Sequence, residues 1–249
     1  MSVLEALAIA GVGLAAGTIN TIVGSGSLIT FPTLLAFGFH PVLANVSNTV
    51  GLVPGSLSGT IAYRRELEGQ RPRLAVLATA SLTGGVTGAV LLLALPGSVF
   101  RHVVPVLILV ACVLVAVGPR LSRLMAAREH SPLHGGVPLF LSVYITGVYG
   151  GYFGAAQGVI LMSLLGIFLD DQLQRLNATK NVLALVTNAA SAVVFIIATH
   201  IAWEAAGLIA AGSVVGGQVG GVLGRRIPAA LLRVVIIAVG VTAAVVLLA

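Results

Sequence analysis

Charge is the scarcest commodity in this chain. Its 249 residues include 13 Lys and Arg and 7 Asp and Glu, or 8% charged, where a soluble domain carries about 25%. So few polar groups cannot cover a water-facing surface, and 58% hydrophobic residues with a mean hydropathy of +1.10 exclude a soluble fold. The same numbers exclude disorder. Acids are especially rare: apart from Glu5, none falls within a long apolar run. A carboxylate cage for a metal cation and a buried Asp/Glu proton relay therefore have no support. Cys112 is the one cysteine, so there is no disulfide framework and no thiolate metal site. No GxxxxGK[ST] loop is present, which leaves ATP-driven pumping without a nucleotide motif. The N-terminus lacks a basic segment before its apolar stretch, and no cleaved signal peptide is expected. No metal, cofactor or nucleic-acid partner is expected. The net charge of +6 reflects loop arginines of a membrane protein rather than a nucleic-acid surface.

What the chain has instead is apolar length. Runs able to cross a bilayer, about 20 residues each, fall at 3–23, 44–62, 74–94, 102–118, 137–153, 181–199, 205–223 and 231–249. Two further pieces, 27–37 and 158–168, are about 16 Å long as helices and too short to cross. Each follows a glycine cluster, Gly24-Ser25-Gly26-Ser27 and Gly154-Ala155-Ala156-Gln157-Gly158. Glycine lets the backbone turn inside a membrane where protein or a wet cavity surrounds it. Both pieces read as re-entrant half-helices. His40, in Gly38-Phe39-His40-Pro41, reads as a helix-end turn residue.

The chain also repeats itself. Gly17 and Gly24 match Gly147 and Gly154 at an offset of 130; Asn45 matches Asn177 at 132, as Gly84, Gly85 and Gly88 match Gly216, Gly217 and Gly220. Pro96 and Arg101 pair with Pro228 and Arg233 in the same register. The expected architecture is an all-α polytopic membrane protein with repeats at 1–118 and 137–249 and a cytoplasmic linker at 119–136. Basic residues alternate between matched loops: Arg64, Arg65, Arg71 and Arg73 face a mate near 200–204 without Lys or Arg, and Arg175, Lys180, Arg225 and Arg226 follow the reverse pattern. The positive-inside rule then makes the repeats inverted, each with three crossing helices plus a broken, re-entrant helix hairpin, and puts both termini outside. Inverted repeats with broken helices characterise secondary transporters, whose sites lie near the midplane. The Gly84 and Gly216 clusters read instead as helix-packing faces.

With acids absent, the candidate substrate-binding groups are neutral amides and hydroxyls plus one cation. They are Asn20, Ser25, Gly26 and Ser27 at the first re-entrant turn, Gln157 at the second, Asn45 and Asn48 opening one crossing, and Asn177, Lys180 and Asn181 opening its mate. That mate continues to Asn188 and Ser191. Half-helix N-termini aimed at the midplane favour anions. Two readings stay open for Lys180, the only lysine: substrate contact, or snorkelling at the cytoplasmic interface. The asparagines Asn45 and Asn177 read equally as helix N-caps. Tyr144, Tyr149 and Tyr152 read as packing or interface residues.

These residues resemble the TauE/SafE sulfite exporter family. The likeness runs through Gly17, Gly24-Ser25-Gly26-Ser27, Pro32, Gly38-Phe39-His40-Pro41, Asn45, Ser58-Gly59 and Tyr63-Arg64. It resumes at Tyr149-Gly150-Gly151-Tyr152-Phe153-Gly154, Asn177-Ala178-Thr179-Lys180-Asn181, Phe195, Trp203, Gly216-Gly217 and Arg225. The resemblance implies movement of a small sulfur-containing or organic anion across the inner (plasma) membrane by a multi-pass protein that is not an enzyme. The alternatives are a non-transporting scaffold or insertase, and an intramembrane hydrolase, which needs a serine paired with a base inside the bilayer.

Overall fold

A computed structural model describes residues 2–126, 136–223 and 229–248. The middle of the expected linker and the pair Arg225 and Arg226 lie outside the described residues. Among those described the chain is all helix. In order the helices are α1 (Val3–Ile22), α2 (Ser27–Ala36), α3 (Pro41–Ala62), α4 (Arg71–Ala94), α5 (Gly97–Ala126), α6 (Gly136–Tyr152), α7 (Gln157–Phe168), α8 (Leu173–Ala198), α9 (Trp203–Leu223) and α10 (Ala229–Leu248), with a 3-10 turn at Arg64–Leu67.

Local chemistry sets these ends. Ser2 and Glu5 form a reciprocal capping box that starts α1, satisfying two otherwise orphaned N–H groups. At its other end Gly24, at φ +86°, folds back so that its N–H reaches the Ile19 carbonyl at 3.0 Å. Gly154, at φ +76°, returns its N–H to Tyr149 at 3.1 Å in the same way. Such left-handed closures of a helix suit glycine. Helix α5 continues to Ala126, through the first residues of the expected linker; Arg, Leu, Met and Ala there are good helix formers.

Among the described residues five helices are long and apolar enough to cross a membrane: Val3–Ile22, Arg71–Ala94, Gly97–Val117, Leu173–Ala198 and Trp203–Leu223. By that measure α3 is diluted by its polar run Asn45 to Thr49, and α6 has only 17 residues. Side chains such as Leu4, Ile197 and Val222 stand exposed on the outside, where lipid replaces water as the solvent for apolar groups.

The helices pack through glycine. Gly84 and Gly88 of α4 lie against the carbonyls of Tyr144 and Val148 on α6, while Gly216 and Gly220 of α9 lie against those of Leu14 and Thr18 on α1. A Cβ at any of these positions would collide with backbone, so small residues permit the close approach. Helices α3 and α8 pack on each other and, respectively, on α9 and α4; α5 packs on α10.

The half-length helices α2 and α7 fold back beside α1 and α6. Glu5 near the start of α1 and Phe37 at the end of α2 line one cleft of about 540 Å³ with Phe39, His200 and Trp203. At the other end of the bundle, Arg73 of α4 lines a cleft with Gly136 and Val137 at the start of α6. The same arginine pairs at 2.7 Å with Asp171, which follows α7.

Candidate functional site

The two glycine turns meet in the centre of the fold. Gly158 donates its N–H to the Gly24 carbonyl at 3.0 Å, and a Cβ on either residue would fall on the backbone of the other. At this junction lies a cavity of about 20 Å³ lined by Asn20, Thr21, Gly24, Ser27, Ser56, Gly154, Gln157, Gly158, Asn181, Ala184 and Asn188. That volume holds about one water. Its lining contains amides and hydroxyls from both halves of the chain and no ionisable side chain.

Four of the sequence candidates, Asn20, Ser27, Gln157 and Asn181, line the cavity. The other six stand behind it. Gly26 gives its N–H to Asn20 Oδ1 at 2.9 Å, and a Cβ there would fall on the Ala16 carbonyl; its backbone closes the turn. Ser25 is buried, and its hydroxyl has no partner among the described residues. Asn48 accepts from the Thr30 hydroxyl and donates to Ser27 Oγ at 3.2 Å, so it holds a lining residue in place. At α7 the first N–H groups already have acceptors: Gln157 N reaches Gly154 O at 3.3 Å and Val159 N reaches Ala156 O at 3.0 Å. The free donor at this end is the Gln157 side chain, 3% exposed, whose Nε2 has no partner among the described residues. At α7, therefore, the unengaged donor is a side-chain amide rather than a helix-end N–H group.

Asn45 and Asn177 do not cap their own helices, because the N-caps of α3 and α8 lie earlier, at His40 and Gln172. Each instead crosses to the other half and donates to the end of a broken arm. Asn45 Nδ2 meets the Tyr152 carbonyl at 3.0 Å, and Asn177 Nδ2 meets the Thr21 carbonyl at 3.2 Å. The carbonyls at a helix C-terminus lack intrahelical partners, and these amides supply them.

Lys180 belongs to the same cap. It is 1% exposed, and its Nζ donates to the carbonyls of Asn20 at 3.1 Å and Thr21 at 3.3 Å. The snorkelling reading therefore fails: α8 starts two turns before Lys180, which places the side chain inside the bundle rather than at its rim. Its N–H groups supply donors to helix C-terminal carbonyls that have no partner within their own helix. Lys180 does not line the cavity, but Asn20 and Thr21, whose carbonyls it holds, both do.

Rings brace the second turn. Phe31 of α2 stands edge-on to Phe153 at 5.3 Å and to Phe100 of α5 at 6.5 Å. The Tyr149 hydroxyl donates to the Ala155 carbonyl at 2.6 Å, in keeping with a packing role. Ala156 is held at φ +59°, a left-handed conformation that is costly for a residue with a Cβ.

The sequence does not single out Ser56, and it marks Asn188 only as a polar residue farther along the crossing that Asn177 opens. Neither stands out locally, since Ser58 and Thr60 follow Ser56 closely and Thr187 and Ser191 flank Asn188, yet the two are 132 residues apart, the offset that already pairs Asn45 with Asn177. Extending that register along α3 and α8 would have found both.

A helical membrane bundle whose broken helices converge on a buried polar cavity has the organisation of a membrane transporter. The chain belongs to the sulfite exporter TauE/SafE family, whose model matches residues 9–247. It is similar to a probable membrane transporter protein of Haemophilus influenzae, 28% identical over 209 residues that cover 84% of this chain and 81% of that one. It is similar also to the probable membrane transporter protein YfcA of Escherichia coli K12, at 25% identity covering 84% and 77%. A third relative is the probable membrane transporter protein ORF9 of a Sinorhizobium species, at 26% identity covering 94% and 88%. No solved structure matches the chain. The protein is a membrane transporter.

Proposed function

We propose that the protein is a secondary transporter of a small anion such as sulfite, an organosulfonate or a small organic acid, working in the inner (plasma) membrane. The observation that carries this reading is the cavity at the Gly24–Gly158 junction, lined by Asn20, Gln157, Asn181 and Asn188 without a carboxylate, with the Lys180 amine one residue behind. Amide donors, with an amine behind them that can take up a proton, favour an anion, whereas a divalent metal cation is typically held with the help of carboxylates, which this lining lacks. The anion binds between Gln157 of one hairpin and Asn20 and Ser27 of the other, with Asn181 and Asn188 of α8 beside it; Asn45, Asn48, Asn177 and Lys180 hold that arrangement from behind.

In this reading the chain divides into repeats at 1–118 and 137–249, inverted in the membrane, with the linker and the Arg64–Arg73 end in the cytoplasm. The cavity is smaller than any of these anions, so loading requires the hairpins to part. The Arg73–Asp171 pair, which joins α4 to the turn before α8, closes the cytoplasmic end and opens in the other half of the cycle.

Uptake of radiolabelled sulfite and of methanesulfonate into proteoliposomes tests the proposal. Wild type is expected to take up at least one of them, and Gln157→Leu to lose about tenfold or more. An unmet hydrogen bond to a charged ligand costs about 1.5–3 kcal/mol. A folded wild-type protein that moves neither anion would overturn the anion reading.

A further inference from the structure

We propose that Lys180 carries the coupling proton: its amine is protonated when the anion occupies the cavity and gives the proton up when the anion leaves, so the two cross as a pair. This deepens the anion reading and rests on it.

The hydrogen bonds of Lys180 are the first argument. Its two acceptors, the carbonyls of Asn20 and Thr21, match the two N–H bonds of a neutral amine. The third N–H of an ammonium has no protein acceptor among the described residues. The Thr21 carbonyl is itself crowded, taking Asn177 Nδ2 at 3.2 Å and Asn181 Nδ2 at 3.4 Å as well.

Charge is the second. Around Lys180, α8 packs against α1, α3, α4, α6, α7 and the 3-10 turn. Helices α3 and α7 carry no ionisable residue, α1 carries only Glu5 in its first turn, and α6 carries Tyr144, Tyr149 and Tyr152. Helix α4 contributes Arg71 and Arg73, the 3-10 turn Arg64, Arg65 and Glu66, and α8 itself Arg175. Asp171 is shared between Arg73 and Arg175, and no described carboxylate pairs with Lys180. A buried ammonium with dipoles but no counter-charge is unfavourable, and an anion close by reverses the balance. The cavity offers a place for one, since Asn20 and Thr21, the partners of Lys180, line it together with Asn181.

The third argument is asymmetry. The residue 132 positions before Lys180 is Asn48, whose amide is taken up by Thr30 and Ser27. An amide does not titrate, so coupling falls to one half alone. The step itself is simple: the ammonium N–H electron pair returns to nitrogen and the proton passes to water at the open face. No other bond changes and no electron is exchanged.

Because Lys180 is the only lysine in the chain, isotopic labelling of lysine gives one side-chain signal, readable by NMR in detergent or lipid. Near pH 7.5 that signal is expected to report a neutral amine in buffer alone and an ammonium with saturating sulfite or methanesulfonate. An ammonium under both conditions overturns the proposal, as does an amine under both. In proteoliposomes, a one-unit pH gradient, alkaline inside, is expected to drive about tenfold accumulation of a monovalent anion that moves with one proton. Methanesulfonate suits this arm because it stays ionised throughout. Lys180→Gln and Lys180→Arg are expected to reduce that accumulation to about onefold, whatever flux remains. If accumulation in either variant still follows the gradient, or if wild-type flux ignores it, the proton is not carried here, although the anion reading survives. If no anion moves at all, both readings fall together.

Discussion

The absence of one carbon decides how near the two hairpins lie. Gly24 and Gly38 have almost the same φ, +86° and +84°, but a Cβ on Gly24 would meet Gly158 whereas one on Gly38 meets nothing within 4 Å. Gly38→Ala therefore carries only the conformational penalty, about 1–2 kcal/mol. Gly24→Ala carries that and a backbone collision, so it is expected to cost several kcal/mol. Thermal unfolding of the two variants in detergent, beside wild type, measures the difference. Equal losses would mean that the Gly24–Gly158 contact adds nothing. Gly26, which the sequence marks as an anion contact, is tied into its turn by Asn20, and a Cβ there would strike the Ala16 carbonyl. Replacing it by Val is expected to damage folding as well as transport, which makes Gln157 the cleaner probe of binding.

At the scale of elements, the half-helices α2 and α7 were legible because a glycine cluster preceded a stretch too short to cross. The starts of α3 and α8 were not. Their polar residues, Asn45 to Thr49 and Asn177 to Asn181, look like helix openings because they interrupt hydropathy. Both helices in fact begin earlier, at Pro41 and Leu173, and carry those amides inside. The role of Lys180 was equally hidden, since its partners Asn20 and Thr21 lie about 160 residues away and no local pattern announces them.

The Asp171 link between elements was invisible for the same reason. Burial pushes its carboxyl upward, but the hydrogen bond from Arg73, the N–H of Gln172 and the charges of Arg175 and Arg73 outweigh this and hold it below the usual carboxylate range. A depressed folded value means that its contribution is fully present above the ordinary value near 4 and is lost as pH falls through the folded one. Asp171→Asn is thus expected to lower stability at pH 7 by about 1 kcal/mol. The loss should shrink below about pH 4, where the wild-type carboxylate also takes up its proton. Unfolding followed from pH 7 to pH 3 tests this; a deficit that does not change with pH would assign the effect to packing.

At the scale of the whole molecule, charge divides between the two ends. Arg64, Arg65, Arg71, Arg73 and Arg175 cluster around the 3-10 turn and Asp171, whereas Glu5, His200 and Glu204 share the far cleft. The positive-inside rule assigns the first end to the cytoplasm. Cys112 is buried, so a Cys112→Ser background gives a clean start for labelling. A cysteine at exposed Glu68 is expected to react with an impermeant maleimide only from the cytoplasmic side, and one at exposed Glu204 only from outside. Labelling of both from one face would contradict the assignment. Gln70, though in the same loop, is only 2% exposed and would report nothing.

The meeting of Gly24 and Gly158 also has a mechanical side. Two surfaces without side chains have no knobs to disengage, so rotation at that point is cheaper than at a joint of interlocked leucines. The contact can act as a fulcrum, with α2 and α7 as its levers. At 10 and 12 residues those levers are about 15 and 18 Å long. A tilt of about 10° about the fulcrum swings their far ends by about 3 Å, close to the width of a water molecule. A lever of that length, too short to cross a bilayer, has a correspondingly short stroke.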